Sequence, residues 1–448
     1  MHNRTEQFLN DPVFPLLIRM SAPNTIAFFI QAIVVLAEVW FISKLGTTSL
    51  AAVALAFPVI MLTQQMAFGA LGGAVTSSIA RSLGAEDKER AEKLLWHSLL
   101  LSCCGYLLFF LIFFIGGESL LMALGGEGSL LEESLLYIKI FLTGAIFIWL
   151  SGMLSAALRG IGNMRFPALL MIVGSGIQVI LAGGLILGWF GLPKLGIIGA
   201  PLSAISVAAL MAIVMILKFM HSSSNVQLKL SNLSFKKELF IDIFNVALPA
   251  SLAPIFTVGT ILILTGLVGQ FGVSALAGYG IGSRIEFLMI PLVFGIGTAM
   301  TTMVGTNIGA KKVERAERIG WLGGSFAGLF SGMIGLMLIL SSSHWINFFA
   351  TDQATYEVTK QYIEIVGLCF TFQGLGLSLY FASQGANAMK WPIIATVIRF
   401  VVAALGGWIA VNWFSSGIAG VFYAAASAMT LYGLMLVLSL KMGAWRNN

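Results

Sequence analysis

Asn24, Gln31 and Glu38 stand seven residues apart, and Glu38 is the only charge between Arg19 and Lys44. Seven residues is close to two helical turns, so the three side chains share one stripe that drifts only about 20° per heptad. Hydrogen bonds to neighbouring helices are enough to explain the two amides. Glu38 asks for more. A carboxyl held away from water is penalised in its charged form, so it can load and release a proton. That is the simplest chemistry by which a buried acid couples proton movement to another event.

A second set of ionisable residues lies in the other apolar stretches. Tyr137-Ile138-Lys139 and Tyr362-Ile363-Glu364 are matching tripeptides. Lys139 and Glu364 either bridge across an outer opening or each snorkel to the headgroups, and Lys139 could instead pair with Glu38. Arg284 and Glu286 are two apart, so they point to different sides of their helix and cannot pair with each other. Counted along their helices, Glu286 and Arg399 both lie about 12 Å above the inner boundary of a 30 Å core, which predicts a structural ion pair between them. Ser203 is a further candidate for a polar lining, as is Tyr137.

Catalytic motifs are missing from the sequence. His2, His97, His221 and His344 are far apart, and there is no His-Glu-x-x-His, Cys-x-x-Cys or phosphate-binding Gly-x-x-x-x-Gly-Lys pattern. The three cysteines (Cys103, Cys104 and Cys369) sit in apolar runs and read as packing residues. The expectation is therefore no enzyme, no metal and no cofactor.

The elements that must position these residues are membrane helices. Of 448 residues, 58% are hydrophobic and 10% charged, with a mean hydropathy of +0.94. A soluble domain carries about 25% charge, so a soluble protein is excluded. A span needs about 20 apolar residues. The apolar runs predict twelve spans at 14–43, 48–80, 93–115, 133–158, 166–189, 196–219, 239–268, 274–305, 318–340, 357–383, 391–414 and 418–440. No stretch alternates with period two, so a β-barrel is ruled out.

The twelve spans are a duplication of six. Leu83-Gly84-Ala85 and Glu89-Arg90-Ala91-Glu92 recur as Ile308-Gly309-Ala310 and Glu314-Arg315-Ala316-Glu317, 225 residues later. Gly160, Met164 and Pro167 fall on Gly385, Met389 and Pro392 at the same offset, and Pro23 and Gly46 on Pro249 and Gly272 at 226. The expected organisation is a lobe over 1–220, a linker over 221–237 and a lobe over 238–448. Six spans are an even number, so the two bundles should be related by a pseudo-twofold along the membrane normal, with a central cleft. Placing both termini inside puts 19 of the 25 Lys and Arg on the inner side. This predicts a multi-pass protein of the cell (inner) membrane with both termini cytoplasmic. The net charge of +6 is then a topology signal and needs no nucleic-acid partner.

The duplicated plan, the two Gly-Ala…Glu-Arg-Ala-Glu loops, the Arg159-to-Pro167 segment and Glu38 ahead of Phe41-Ile42-Ser43-Lys44-Leu45-Gly46 resemble the multidrug and toxic compound extrusion (MATE) family. The resemblance covers essentially the whole chain. It implies a secondary antiporter that exports amphipathic, often cationic, compounds in exchange for protons or sodium, with the bilayer as its only fixed partner and a monomer as its unit. The family's Asn-x-x-x-Asp pattern in the fifth span corresponds to Gln178 to Ala182, which keeps the amide and loses the acid. Relatives with acids in the seventh and tenth spans would carry them near Thr257 and Gln373, and neither is acidic. The resemblance therefore implies the DinF-like branch, with protons favoured over sodium. Two alternatives remain open: a flippase of lipid-linked sugars or lipids from the same superfamily, and a membrane-embedded enzyme or scaffold for lipid substrates.

Overall fold

The computed structural model describes residues 4–221, 226–350 and 352–446. Among the described residues, twelve helices are long and apolar enough to cross a membrane, and there is no strand. They are α1 (Val13–Ser43), α2 (Thr47–Gly84), α3 (Lys88–Ala123), α4 (Gly128–Gly160), α5 (Arg165–Leu187), α6 (Gly196–Met220), α7 (Lys237–Gly269), α8 (Val273–Gly309), α9 (Val313–Leu340), α10 (Gln353–Gly385), α11 (Lys390–Asn412) and α12 (Gly417–Lys441). The chain is an all-helical, multi-pass membrane protein. All twelve expected spans are present, and α3 shows how their ends were underestimated. It begins at Lys88 because the Asp87 side chain accepts the Arg90 N–H at 2.8 Å, capping the helix ahead of the apolar run. Hydropathy marks the membrane boundary, whereas backbone hydrogen bonding continues past it.

The duplication is written into the backbone. Glu86 N–H bonds to the Leu83 carbonyl and Asp87 N–H to Ser82, while 225 residues on Lys311 bonds to Ile308 and Lys312 to Asn307. Glu86 and Lys311 are both left-handed, with φ of 63° and 58°. The same closure ends α4 at Gly162 (φ 79°) and α10 at Asn387 (φ 58°). One left-handed residue turns the chain back so that the last carbonyls of each helix find donors.

The chain divides into two compact units. One is Ile26–Ala247, and the other joins the segment ending at Thr25 to Leu248–Asn448. These differ from the lobes expected at 1–220 and 238–448, because the divisions fall inside α1 and α7 and not in the linker. Pro23 and Pro249, equivalent in the repeat, lie inside those helices beside the two divisions. Proline removes a helical hydrogen bond and frees the preceding segment to follow other neighbours.

Each displaced segment is tied down within its own unit. Asn24 donates to Thr298 Oγ1 at 3.2 Å, and Thr25 lies so close to Gly295 that a Cβ there would sit 2.3 Å from its hydroxyl. The start of α7 is held through Asp242, which accepts from Arg81 at 2.7 Å and Arg90 at 3.2 Å. Residues 222–225 of the expected linker lie outside the described residues. The rest is strapped to α3: Glu92 accepts from Gln227 N–H at 3.2 Å and Asn232 Nδ2 at 2.6 Å, and Trp96 donates to the Lys229 carbonyl at 3.0 Å. Cys103 and Cys104, expected to be packed, are exposed on α3.

Candidate functional site

Four helices of the Ile26–Ala247 unit converge on Glu38. From α5, Gln178 donates its amide N–H to the Glu38 carboxylate at 2.8 Å. From α6, Ser203, whose hydroxyl donates to the Ala200 carbonyl at 2.7 Å, stands beside this carboxylate, and so does Tyr137 from α4. Gln178, Ser203 and Tyr137 are all buried. Among the described residues, no Lys or Arg of this unit forms an ion pair with Glu38. Among the described residues, the carboxyl is therefore held by the neutral Gln178 amide and not by a fixed charge. Such a site can exchange a proton or hold a small cation without displacing a permanent charge.

Seven residues before Glu38 on α1, Gln31 accepts from Ser175 at 3.0 Å, again from α5. The C-terminal ends of α1 and α5 are covered by the short turn Trp189–Gly191. The Trp189 ring lies 5.4 Å from Phe41 and 6.4 Å from Trp40, edge-on and tilted. It fits because α5 carries Gly183, where a Cβ would meet the indole at 2.9 Å. Ser175 and Trp189 were missed from the sequence. Ser175 falls three residues before Gln178, nearly one helical turn, and that spacing was the available signal.

The stripe drawn through Asn24, Gln31 and Glu38 is divided. Asn24 lies in the other unit and is spent on Thr298, so it does not belong to the Glu38 site. Lys139 is exposed and makes no ion pair with Glu38. Glu364 is exposed too, with Lys360 at 3.9 Å on the same helix. Arg284 is exposed.

The remaining candidates gather inside the Leu248–Asn448 unit. Thr257, Glu286, Tyr362, Gln373 and Arg399 line one small cavity of about 70 Å³. The expected Glu286–Arg399 ion pair is not formed among the described residues. Glu286 instead accepts from the Tyr362 hydroxyl at 3.1 Å. Arg399 donates to Thr257 Oγ1 at 2.7 Å, and its guanidinium lies 4.8 Å from the centre of the Tyr432 ring. Depth along a helix put the two charges at one height, but rotation about each helix sends them to different partners. Among the described residues, no group of His, Cys, Asp and Glu is gathered to hold a metal.

Comparison with known proteins agrees with this architecture. The MatE family model matches twice, over residues 23–182 and 249–409, once per half. The chain is 26% identical to a FAD transporter of Shewanella oneidensis, over 95% of this chain and 94% of that one. It is 24% identical to a probable multidrug resistance protein, NorM, of Thermotoga maritima, covering 96% and 92% of the two chains. Among solved structures, a MOP superfamily transporter from Pyrococcus furiosus superposes with a TM-score of 0.92 at 24% identity, covering 99% and 98%. With a duplicated match across both halves and transporters as full-length relatives, the chain belongs to the MatE family of membrane transporters.

Proposed function

We propose that the protein exports amphipathic, mainly cationic, small molecules across the cell membrane in exchange for protons, with Glu38 as the coupling acid and both termini in the cytoplasm. The observation that carries this reading is the Glu38 carboxylate held by the Gln178 amide at 2.8 Å, beside Ser203 and Tyr137, with no basic residue of its unit paired to it. A proton arriving at Glu38 removes a negative charge from the interior. The hydrogen bonds that favoured the anion weaken, and the contacts between α1, α5 and α6 are re-sorted. Substrate binding and proton binding are thereby placed in competition. Phe and Met side chains supply the adaptable apolar surface that varied organic ligands need.

The FAD transporter among the relatives favours a second reading, in which the cargo is an anionic flavin dinucleotide. One assay separates the two. Proteoliposomes loaded with a fluorescent organic cation are given a pH step, acidic on the side that receives substrate. Export of the cation by the wild type and its loss in Glu38→Gln support the proposal. Flavin dinucleotide moving while cations do not would replace it with the second reading.

A further inference from the structure

The cavity inside the Leu248–Asn448 unit is lined by the chemistry of a hard monovalent cation. Glu286, Thr257, Thr260, Ser283 and Gln373 all line it, and the Thr260 and Ser283 hydroxyls donate to the Phe256 and Gly280 carbonyls, so that their oxygens keep lone pairs to offer as acceptors. Oxygen donors of this kind are what hard cations prefer. Gln373 sharpens the point. It is 4% exposed, and its Oε1 accepts no hydrogen bond from the protein. A buried acceptor without a donor is costly, so this oxygen calls for a positive group.

A positive group lines the same cavity. Arg399 donates to Thr257 and rests on Tyr432, with no ion pair to Glu286 among the described residues. A carboxyl group and a guanidinium thus share the cavity without touching. Arginine stays protonated at any accessible pH, so its charge is permanent. The positions 225 residues earlier are Met61, Ile148 and Gly174, so the acid, the amide and the arginine belong to the second half alone.

We infer that Arg399 is a tethered cation that occupies the electrostatic place of a free sodium ion in this cavity, and so makes the second unit indifferent to sodium. While Arg399 is present, its charge repels a second cation. Without it, one carboxylate faces four neutral oxygen donors, and a sodium ion becomes the counter-ion. The inference does not rest on Glu38 carrying protons, because its readout is ion binding.

The test uses purified full-length protein, titrated with sodium chloride against N-methylglucamine chloride at constant ionic strength. Thermal midpoint and radioactive sodium binding are both read. Wild type and Arg399→Lys should show no sodium dependence. Arg399→Leu should show a saturable rise in midpoint and bind sodium at least roughly tenfold more tightly than wild type. That gain should vanish when Glu286→Gln is added. Arg399→Gln, which keeps a hydrogen bond to Thr257, serves as a second variant should the leucine disturb folding. Wild-type sodium binding that is lost in Glu286→Gln would overturn the inference, as would no gain in either Arg399 variant. A gain that persists in Glu286→Gln and disappears in Glu38→Gln would overturn it by moving the ion to the other unit.

Discussion

The Gln178 amide and the Glu38 carboxylate meet at 2.8 Å, joining α5 to α1 in the interior of one compact unit. A hydrogen bond to a charged group contributes about 1.5–3 kcal/mol. Gln178→Leu removes that support while keeping the volume close to the original. The initial rate of pH-driven export should fall about 10- to 100-fold in protein that still folds and inserts, alongside a lowered thermal midpoint. Initial efflux rates in proteoliposomes at matched protein density check this, and an unchanged rate would remove Gln178 from the site.

Asp242 is the partner of two arginines at the start of α7. Arg81 and Asp242 have side chains only 13% and 15% exposed, so losing the carboxylate removes the counter-charge of a largely buried guanidinium, which keeps its bonds to Ser77 and Ser78. Asp242→Asn should destabilise the protein by about 2–3 kcal/mol. Asp242→Glu should recover part of the loss. Thermal unfolding of the purified variants measures it, and a midpoint equal to wild type for the Asn variant would contradict this account of how α7 is anchored.

Glu86 and Lys311 hold left-handed backbone at two helix ends where glycine carries no steric penalty. Glu86→Gly and Lys311→Gly should each stabilise the protein, by up to about 1 kcal/mol. The gains should add, because the two loops lie in different units. The double variant's thermal midpoint is the measurement. Destabilisation by either glycine would mean that the charged side chain matters more there than the turn.

Much of this was legible in the sequence, and the reasons are physical. Twelve spans follow from runs of about 20 apolar residues, since with no period-two alternation for a barrel only helices satisfy the backbone groups in lipid. The duplication follows from loops whose turns need particular residues, which is why Glu86 and Lys311 share one geometry. Glu38 stood out because a charge inside a span is expensive. Pairings that depend on how helices rotate and pack stayed hidden. Arg81 finds Asp242 across 161 residues of chain. The expected Glu286–Arg399 contact failed because depth along a helix says nothing about the face a side chain takes. The unit boundaries were missed for a related reason: a proline inside a helix reads as a kink, and only packing reveals that the segment before it belongs elsewhere.

Each half keeps a different interior acid, Glu38 on α1 and Glu286 on α8, and Glu286 shares a cavity with Arg399. One proton per transported molecule is the expected stoichiometry. Exchange of one proton for a monovalent cation then moves no net charge, so voltage alone should not drive it. A divalent cation would carry one net charge out against an inside-negative potential, at about 2.3 kcal/mol per 100 mV, or roughly 40- to 50-fold in attainable gradient. Proteoliposomes clamped with potassium and valinomycin at equal pH provide the check. Sustained voltage-driven accumulation of a monovalent cation would contradict one-for-one exchange and direct attention to Glu286 as a second coupling acid.

The most direct measurement of Glu38 as the coupling acid follows the protons themselves. Proteoliposomes enclosing a pH-sensitive dye are given substrate with no imposed pH gradient, and lumenal pH is recorded as substrate moves. The wild type should produce a pH change opposite in direction to the substrate flux, scaling with substrate concentration. Glu38→Asp should retain part of it and Glu38→Gln should show none. A Glu38→Gln protein that moves protons at the wild-type rate when substrate is added would contradict the account.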